Sequence, residues 1–386
     1  MISLSPKFKR IFILSLTGVA LCVSPIAEHN SVQASEVSTN KTKKTTRKTT
    51  KKTKKSSKPA IQVLFSDPET GEWIHKGNSG IIIHKDTIGV VRGMSPFTGP
   101  GTGAESYAAA INRYGDYFAD TDSNVRVYSL LAPTQGEYYM PEQVSTIGAE
   151  RRAIDRTSSF FNGSVTPIII GDTLQNHIDE EIYSRTDHHW SPLGAFYAAS
   201  AVAEAAGVDF LPIDVYEENV VYEYVGTMYK FSGDKEIQEC PEDFVYFVPP
   251  MSYDAEFINY TIKNQKTMGE NEPHPEEFFK KYPDGSSAAY LTFMGGDYST
   301  VKVSGTGGTP GRRVLIVKDS YGNAMASCLF GSFEEVHVID FRYFPHNLRD
   351  YVEKNGITDL VFENCVQLAF APATAERLNI MYESTK

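Results

Sequence analysis

The sequence predicts an α/β fold: a parallel sheet flanked by helices, with a β-rich insertion. Three observations predict it. After Thr300, apolar runs alternate with short helical patterns: "RRVLIVKDS", "EEVHVIDFRYF" and "ITDLVFENCVQ" against "YGNAMASCLFG", "NLRDYVEKNG" and "ATAERLNIMYES". Strands alternating with helices pair in parallel, because each crossover helix covers a face of the sheet. The strand runs are continuously apolar, as strands buried on both faces are. Between residues 215 and 300 the pattern changes to short alternating runs rich in Tyr, Phe, Asn and Pro, such as "VVYEYVGTMYKF" and "EDFVYFVPP", which read as an irregular β-rich insertion.

The elements follow in order. Residues 1–34 read as a secretory signal peptide. Lys7, Lys9 and Arg10 form a basic start, and residues 11–23 an apolar run too short for a comfortable membrane span. Val32 and Ala34 place small residues before a cleavage point at Ser35. An uncleaved anchor, tethering the protein to the membrane, is the alternative; bulky Leu21 disfavours a lipoprotein site at Cys22. Residues 35–60 are a Lys/Thr-rich linker. Its 41–59 stretch holds ten basic residues, no acid and no large apolar side chain, so it cannot bury a core and is expected to be disordered. Residues 61–386 are expected to form one domain. Within it, "GIIIHKDTIGVV" (80–91) reads as strand and "GAESYAAAINRYGDYF" (103–118) as a helix with Tyr107, Ile111, Tyr114 and Phe118 on one stripe. "NVRVYSLLAP" and "VTPIIIGD" read as strands, and "PEQVSTIGAERRAIDRTSSFF" as a helix. Ser191-Pro192 opens another helix, which runs to about Gly207. "TGPGTG" (98–103) lacks the Lys-Ser/Thr pair of a phosphate loop and reads as a flexible turn.

Charge divides the chain. Of its 37 Lys+Arg and 48 Asp+Glu, 13 and 2 lie before residue 59, which leaves 24 and 46 in the body and a net charge of −22 there. So acidic a body argues against a nucleic-acid enzyme. The basic linker, outside the cell, is suited to anionic wall polymers or anionic lipid; a solvated spacer is the alternative. Beyond the leader stand Cys240, Cys328 and Cys365, an odd number without a CxxC pair. That argues against a disulfide framework and against a thiolate metal site.

In parallel sheets the functional residues sit at the carboxyl ends of strands. Here those ends carry Lys318-Asp319-Ser320, Phe341-Arg342-Tyr343 and Glu363-Asn364-Cys365. Ser320 occupies a strand–turn–helix position suited to a nucleophile, although helix N-caps are often serines as well. A serine nucleophile needs an imidazole to take its proton and a carboxylate to hold that imidazole. "SRTDHHW" (184–190) supplies both. In an extended segment Asp187 and His189 would share a side and His188 would point the other way, as a packing or hydrogen-bonding residue. Trp190 is expected to pack beside the triad. A zinc site is disfavoured, because adjacent histidines rarely converge on one ion and the HExxH spacing is absent. No metal and no cofactor is called for.

"TDHHWSPLGAFYAA" and "VLIVKDSYGNAMASCLFGSFEEVHVIDFRYF" closely resemble the DHHW protein family, related to the SGNH-hydrolase-like domain of the alginate O-acetylation proteins. The resemblance covers most of residues 78–380. It implies an SGNH-hydrolase-like domain with circularly permuted motif order and a catalytic triad of Asp187, His189 and Ser320. It implies that Asn364 is an oxyanion donor and that Arg342 or Tyr343, standing in place of the usual Gly, is a further oxyanion or substrate-binding residue. Lys318 replaces the Gly that usually precedes the Asp-Ser pair. The implied function is an extracellular O-acetyltransferase acting on a cell-surface or secreted polysaccharide, working beside a membrane-bound O-acyltransferase partner. An acetylesterase with the same triad and a non-catalytic wall-polysaccharide-binding protein are the alternatives.

Overall fold

The continuous apolar runs become the centre of a nine-stranded mixed sheet, seen in a computed structural model that describes residues 61–121, 124–144 and 148–384. The expected leader and the whole of the expected linker lie outside the described residues. Strands β1 (Gln62–Ser66), β2 (Trp73–Lys76), β3 (Ile82–Lys85) and β4 (Val91–Met94) form a separate antiparallel meander. The run expected as one strand over 80–91 is therefore interrupted by a turn. There Asp86 Oδ1 accepts from Ile88 N and Val90 N, and Gly89 takes φ 91°.

The central sheet takes β5 (Arg126–Ala132) and β6 (Val165–Ile168), then β13 (Thr309–Lys318), β14 (Phe333–Asp340) and β15 (Asp359–Cys365) after a long excursion. These five lie parallel in the order β14-β13-β15-β5-β6. Val314, Leu315, Ile316 and Val317 are fully buried, which is why their stretch carries no alternation. In register, Lys318 faces Asp340 on one side and Glu363 on the other. The carboxyl ends of three strands therefore stand level, and the residues after them converge.

The excursion differs from its sequence reading. β7 (Glu217–Tyr224) and β8 (Glu242–Val248) form a two-stranded ribbon. β9 (Asp254–Lys263), β10 (Lys266–Glu270), β11 (His274–Pro275) and β12 (Ser299–Ser304) lie in this β-rich insertion and extend the main sheet antiparallel beyond β14. Thr227–Ser232, read as strand, is a short helix. The helix expected over 141–161 is confined to Ala149–Ser158.

Helix Pro192–Ala206 follows its sequence signals. Ser191 Oγ accepts from Gly194 N at 3.1 Å, and Gly207 ends the helix at φ 66°. Its buried face of Ala195, Ala198, Ala199, Val202 and Ala203 is narrow enough for close packing on helix Gly322–Cys328. Among the described residues no helix is long and apolar enough to cross a membrane.

Candidate active site

Residues 184–189 form an irregular loop closed by an antiparallel bridge between Tyr183 and Trp190. The expected extended geometry does not hold. Asp187 Oδ1 accepts from the backbone N of His189 at 3.2 Å, an Asx-type turn. That turn swings His188 back, so its ring centroid lies 3.8 Å from that of His189 instead of pointing away. Two distant acceptors and donors hold the loop. The Glu242 carboxylate accepts from Ser184 Oγ, Arg185 N, Thr186 N and Thr186 Oγ1. Gln135, just past β5, donates from Nε2 to Asp187 O at 2.9 Å and to Gly93 O at 2.6 Å.

The loop aims Asp187 and His189 at the end of β13. His189 Nδ1 lies 2.5 Å from Asp187 Oδ1, and His189 Nε2 lies 2.7 Å from Ser320 Oγ. Asp187 Oδ2 accepts from Thr227 N and Thr227 Oγ1, both at 2.8 Å. Burial alone would raise the Asp187 carboxyl, but the two imidazoles and the bonds from His189 and Thr227 outweigh it and hold it well below the usual carboxylate range. An ionised Asp187 accepts the hydrogen bond from His189 Nδ1–H and keeps the proton on Nδ1, which leaves the Nε2 lone pair facing the Ser320 hydroxyl.

The remaining residues lock this arrangement. His188 Nδ1 lies 2.6 Å from Thr227 Oγ1; since that hydroxyl donates to Asp187, it accepts from His188. Burial, then the neighbouring His189, push His188 down to about 3, so it is neutral. Trp190, fully buried, donates from Nε1 to Tyr321 O at 3.0 Å, and the Tyr321 hydroxyl donates to His188 O. Asp319 spans from its own loop to the next strand, accepting from Tyr321 N and Cys365 N. Tyr290 stacks on His189, with centroids 3.8 Å apart and planes within 3°, and donates its hydroxyl to Ser320 O at 2.8 Å.

Four charges fill the ground behind Ser320. Lys318 Nζ reaches Asp297 at 3.3 Å and Asp340 at 3.1 Å, fully buried. Arg342 grips Asp340 through Nε and a terminal nitrogen and reaches Asp297 at 3.0 Å. Asn323 Nδ2 donates to Asp297 as well. Arg342, expected as a donor to substrate, is thus held between two carboxylates. Tyr343 packs edge-on against Tyr298, and its carbonyl accepts from Thr267. Asn364 Oδ1 accepts from Tyr107 at 2.8 Å on helix Gly103–Ala119, and its Nδ2 has no partner among the described residues.

Sequence reasoning passed over Thr227, Glu242, Tyr290 and Asp297. All four come from the 215–300 region, and no local motif marks them. Asp187, His188 and His189 place ligand atoms within 4.8 Å of one another. Asp187 bonds to His189 and Thr227, His188 Nδ1 to Thr227, and His189 to Asp187 and Ser320, while His188 Nε2 has no partner among the described residues.

A family model described as DHHW protein matches residues 103–339. A DHHW family protein from Eubacterium siraeum DSM 15702 is 33% identical, with 78% of this chain and 95% of that chain covered and a TM-score of 0.67. Bacillus cereus PatB1 is similar at 17% identity, covering 80% of this chain and 97% of its own, with a TM-score of 0.57. A second structure, of PatB1 with a sulfonyl adduct, matches at 16% identity over 75% of this chain and 96% of its own, with a TM-score of 0.56. At that identity the likeness is one of fold, the SGNH-hydrolase-like α/β class expected from sequence. No curated protein matches the chain.

Proposed function

This chain belongs to the DHHW family, and from that footing we propose that it is an extracellular, serine-dependent O-acetyltransferase acting on a cell-surface or secreted polysaccharide. One observation carries the reading. The relay Asp187–His189–Ser320 is hydrogen-bonded end to end, at 2.5 and 2.7 Å, and nearly closed to water. His189 Nε2 removes the Ser320 proton as Oγ attacks the acetyl carbonyl carbon. The Ser320 backbone N–H, which has no acceptor among the described residues, faces the oxyanion. Collapse expels the donor's alcohol, which takes the proton back from His189 and leaves acetyl-Ser320. A sugar hydroxyl then gives its proton to His189, attacks the same carbon, and departs as the acetyl ester, returning the proton to Ser320.

Ser320 is 4% and His189 3% exposed, and this enclosure favours transfer over the acetylesterase reading, because a transferase must keep water from its acyl-enzyme. The acetyl group would be delivered by a membrane-bound O-acyltransferase partner, and the basic linker would hold the enzyme near anionic wall polymer or lipid. A secreted or surface location follows from the same expectation of a signal peptide.

The test is intact mass after treatment with a sulfonyl fluoride, followed by an acetyl-donor assay with and without glycan. Labelling at Ser320 and glycan-dependent acetyl transfer are expected. Absence of label leaves the non-catalytic binding protein; acetate release that glycan does not divert leaves the esterase.

A second prediction concerns Gly226. A Cβ there would stand 2.5 Å from Asp187 Cβ and Oδ2 and 2.7 Å from Tyr224 Oη. Gly226→Ala is expected to displace the carboxylate and lower the sulfonylation rate of Ser320 by about a hundredfold, with the folded circular dichroism spectrum retained. An unchanged rate would show that the Asp187 position is not critical.

A further inference from the structure

Two rings flank the His189 imidazole. Tyr290 lies parallel to it at 3.8 Å, and His188 lies at 3.8 Å with a 38° tilt. Rings this close to one imidazole cannot share a face of it without overlapping, so they stand on opposite faces. Tyr290 comes from the short 3-10 turn Ala289–Thr292, within the excursion and not from the parallel core. Its hydroxyl donates to the backbone oxygens of Ser320 and, at 3.3 Å, Tyr321, which pins the ring to the nucleophile's own loop.

We propose that Tyr290 is a positioning residue whose ring face stabilises the imidazolium that His189 becomes when it takes the Ser320 proton. The proposal rests on the triad reading above. An aromatic face carries negative quadrupole potential and attracts a cation laid on it, more strongly where water is excluded. Tyr290 and His189 are both buried. The groups facing His189 are consistent with that role. Asp187 stands at Nδ1, Ser320 at Nε2, and the Tyr321 ring at 5.2 Å. Asp297 acts from the loop before β12, where it is paired with Arg342 and Lys318. On the opposite face His188 is neutral, so it adds a plate without a competing charge. The second histidine of the DHHW stretch thereby gains a role: it closes the other side of the sandwich and shares Thr227 with Asp187.

The experiment follows the sulfonylation rate of Ser320 against pH in the full-length protein. Tyr290→Phe keeps the ring face and loses the hydroxyl. Tyr290→Leu loses the face. Pentafluorophenylalanine in place of Tyr290 keeps the shape and reverses the quadrupole. The Phe variant, which keeps the ring and gives up the hydroxyl bond to Ser320 O, is the reference for the other two. The Leu and pentafluoro variants are expected to lower the plateau rate by roughly twofold to thirtyfold and to move the acidic limb to lower pH. A role in packing alone would leave the Phe and pentafluoro variants alike and the limb unmoved, which overturns the proposal. If Tyr290→Leu does not fold, that aromatic pair decides. Failure to label the wild type would remove the triad reading and this proposal with it, whereas a labelled wild type with indistinguishable aromatic variants removes this proposal alone.

Discussion

Ser320→Ala is expected to abolish sulfonyl labelling and to lower acetyl turnover by on the order of a millionfold. The size follows from the relay. Without Oγ there is no atom to form the acyl-enzyme, and His189 has no proton to take. Only the oxyanion N–H and substrate binding remain, and in comparable serine enzymes these leave a small residual rate. The fold should survive. Among the described residues Ser320 Oγ bonds to His189 alone, so its removal costs about 1 kcal/mol, a small part of the stability of a domain. The loop itself is held by Asp319, Tyr290 and Trp190 through backbone groups that alanine keeps. Turnover of a chromogenic acetyl ester and the melting temperature, measured on the same preparation, check both halves. Wild-type turnover in a folded Ser320→Ala protein would place the chemistry elsewhere.

The parts of this site that the sequence announced are those with local causes. Ser191-Pro192 and Gly207 bound their helix by capping and a left-handed turn, and the apolar "VLIV" could only be a strand buried on both faces. Ser320 stood out because a strand ends two residues before it. Asp187 and His189 stood out because a serine needs them, yet the geometry that joins them was misjudged. An i, i+2 pair faces one way in a strand, but here an Asx turn makes the contact and folds His188 back as well. What the sequence hid are contacts set by chain return. Thr227 and Glu242 come from the short helix Thr227–Ser232 and the start of β8 in the two-stranded ribbon, and Tyr290 and Asp297 from the stretch between β11 and β12. Alternation in those strands signals one solvated face but not which edge they join. Three successive residues at positive φ, Met294, Gly295 and Gly296 at 55°, 72° and 114°, bring Asp297 under Arg342. Two of the three are glycines, the residues such a turn accepts most readily. The region therefore supplies part of the candidate site.

Asp187→Asn is expected to lower turnover about ten-thousandfold while leaving every backbone element in place, and the hydrogen bonds say why. Thr227 N and Thr227 Oγ1 both donate to the Oδ2 position. An asparagine must therefore keep its carbonyl oxygen there, since an amide NH2 would meet two donors. Its NH2 is forced to the Oδ1 position, against the His189 N–H and Nδ1. It can then only donate to Nδ1, which moves the imidazole proton to Nε2. That nitrogen now presents a proton to Ser320 Oγ instead of a lone pair, and no base remains for the nucleophile. Stability should report the same change with a definite sign. The Asp187 carboxyl is held well below its ordinary value in the fold, so its ionised form stabilises the native state above the unfolded value of about 3.9, and this is lost as pH falls through the native value. The variant lacks that contribution at neutral pH. Its melting temperature should lie below that of the wild type at pH 7, with the gap narrowing on acidification. A gap that widens instead, or a variant that keeps its activity, would mean that Asp187 does not set the His189 tautomer.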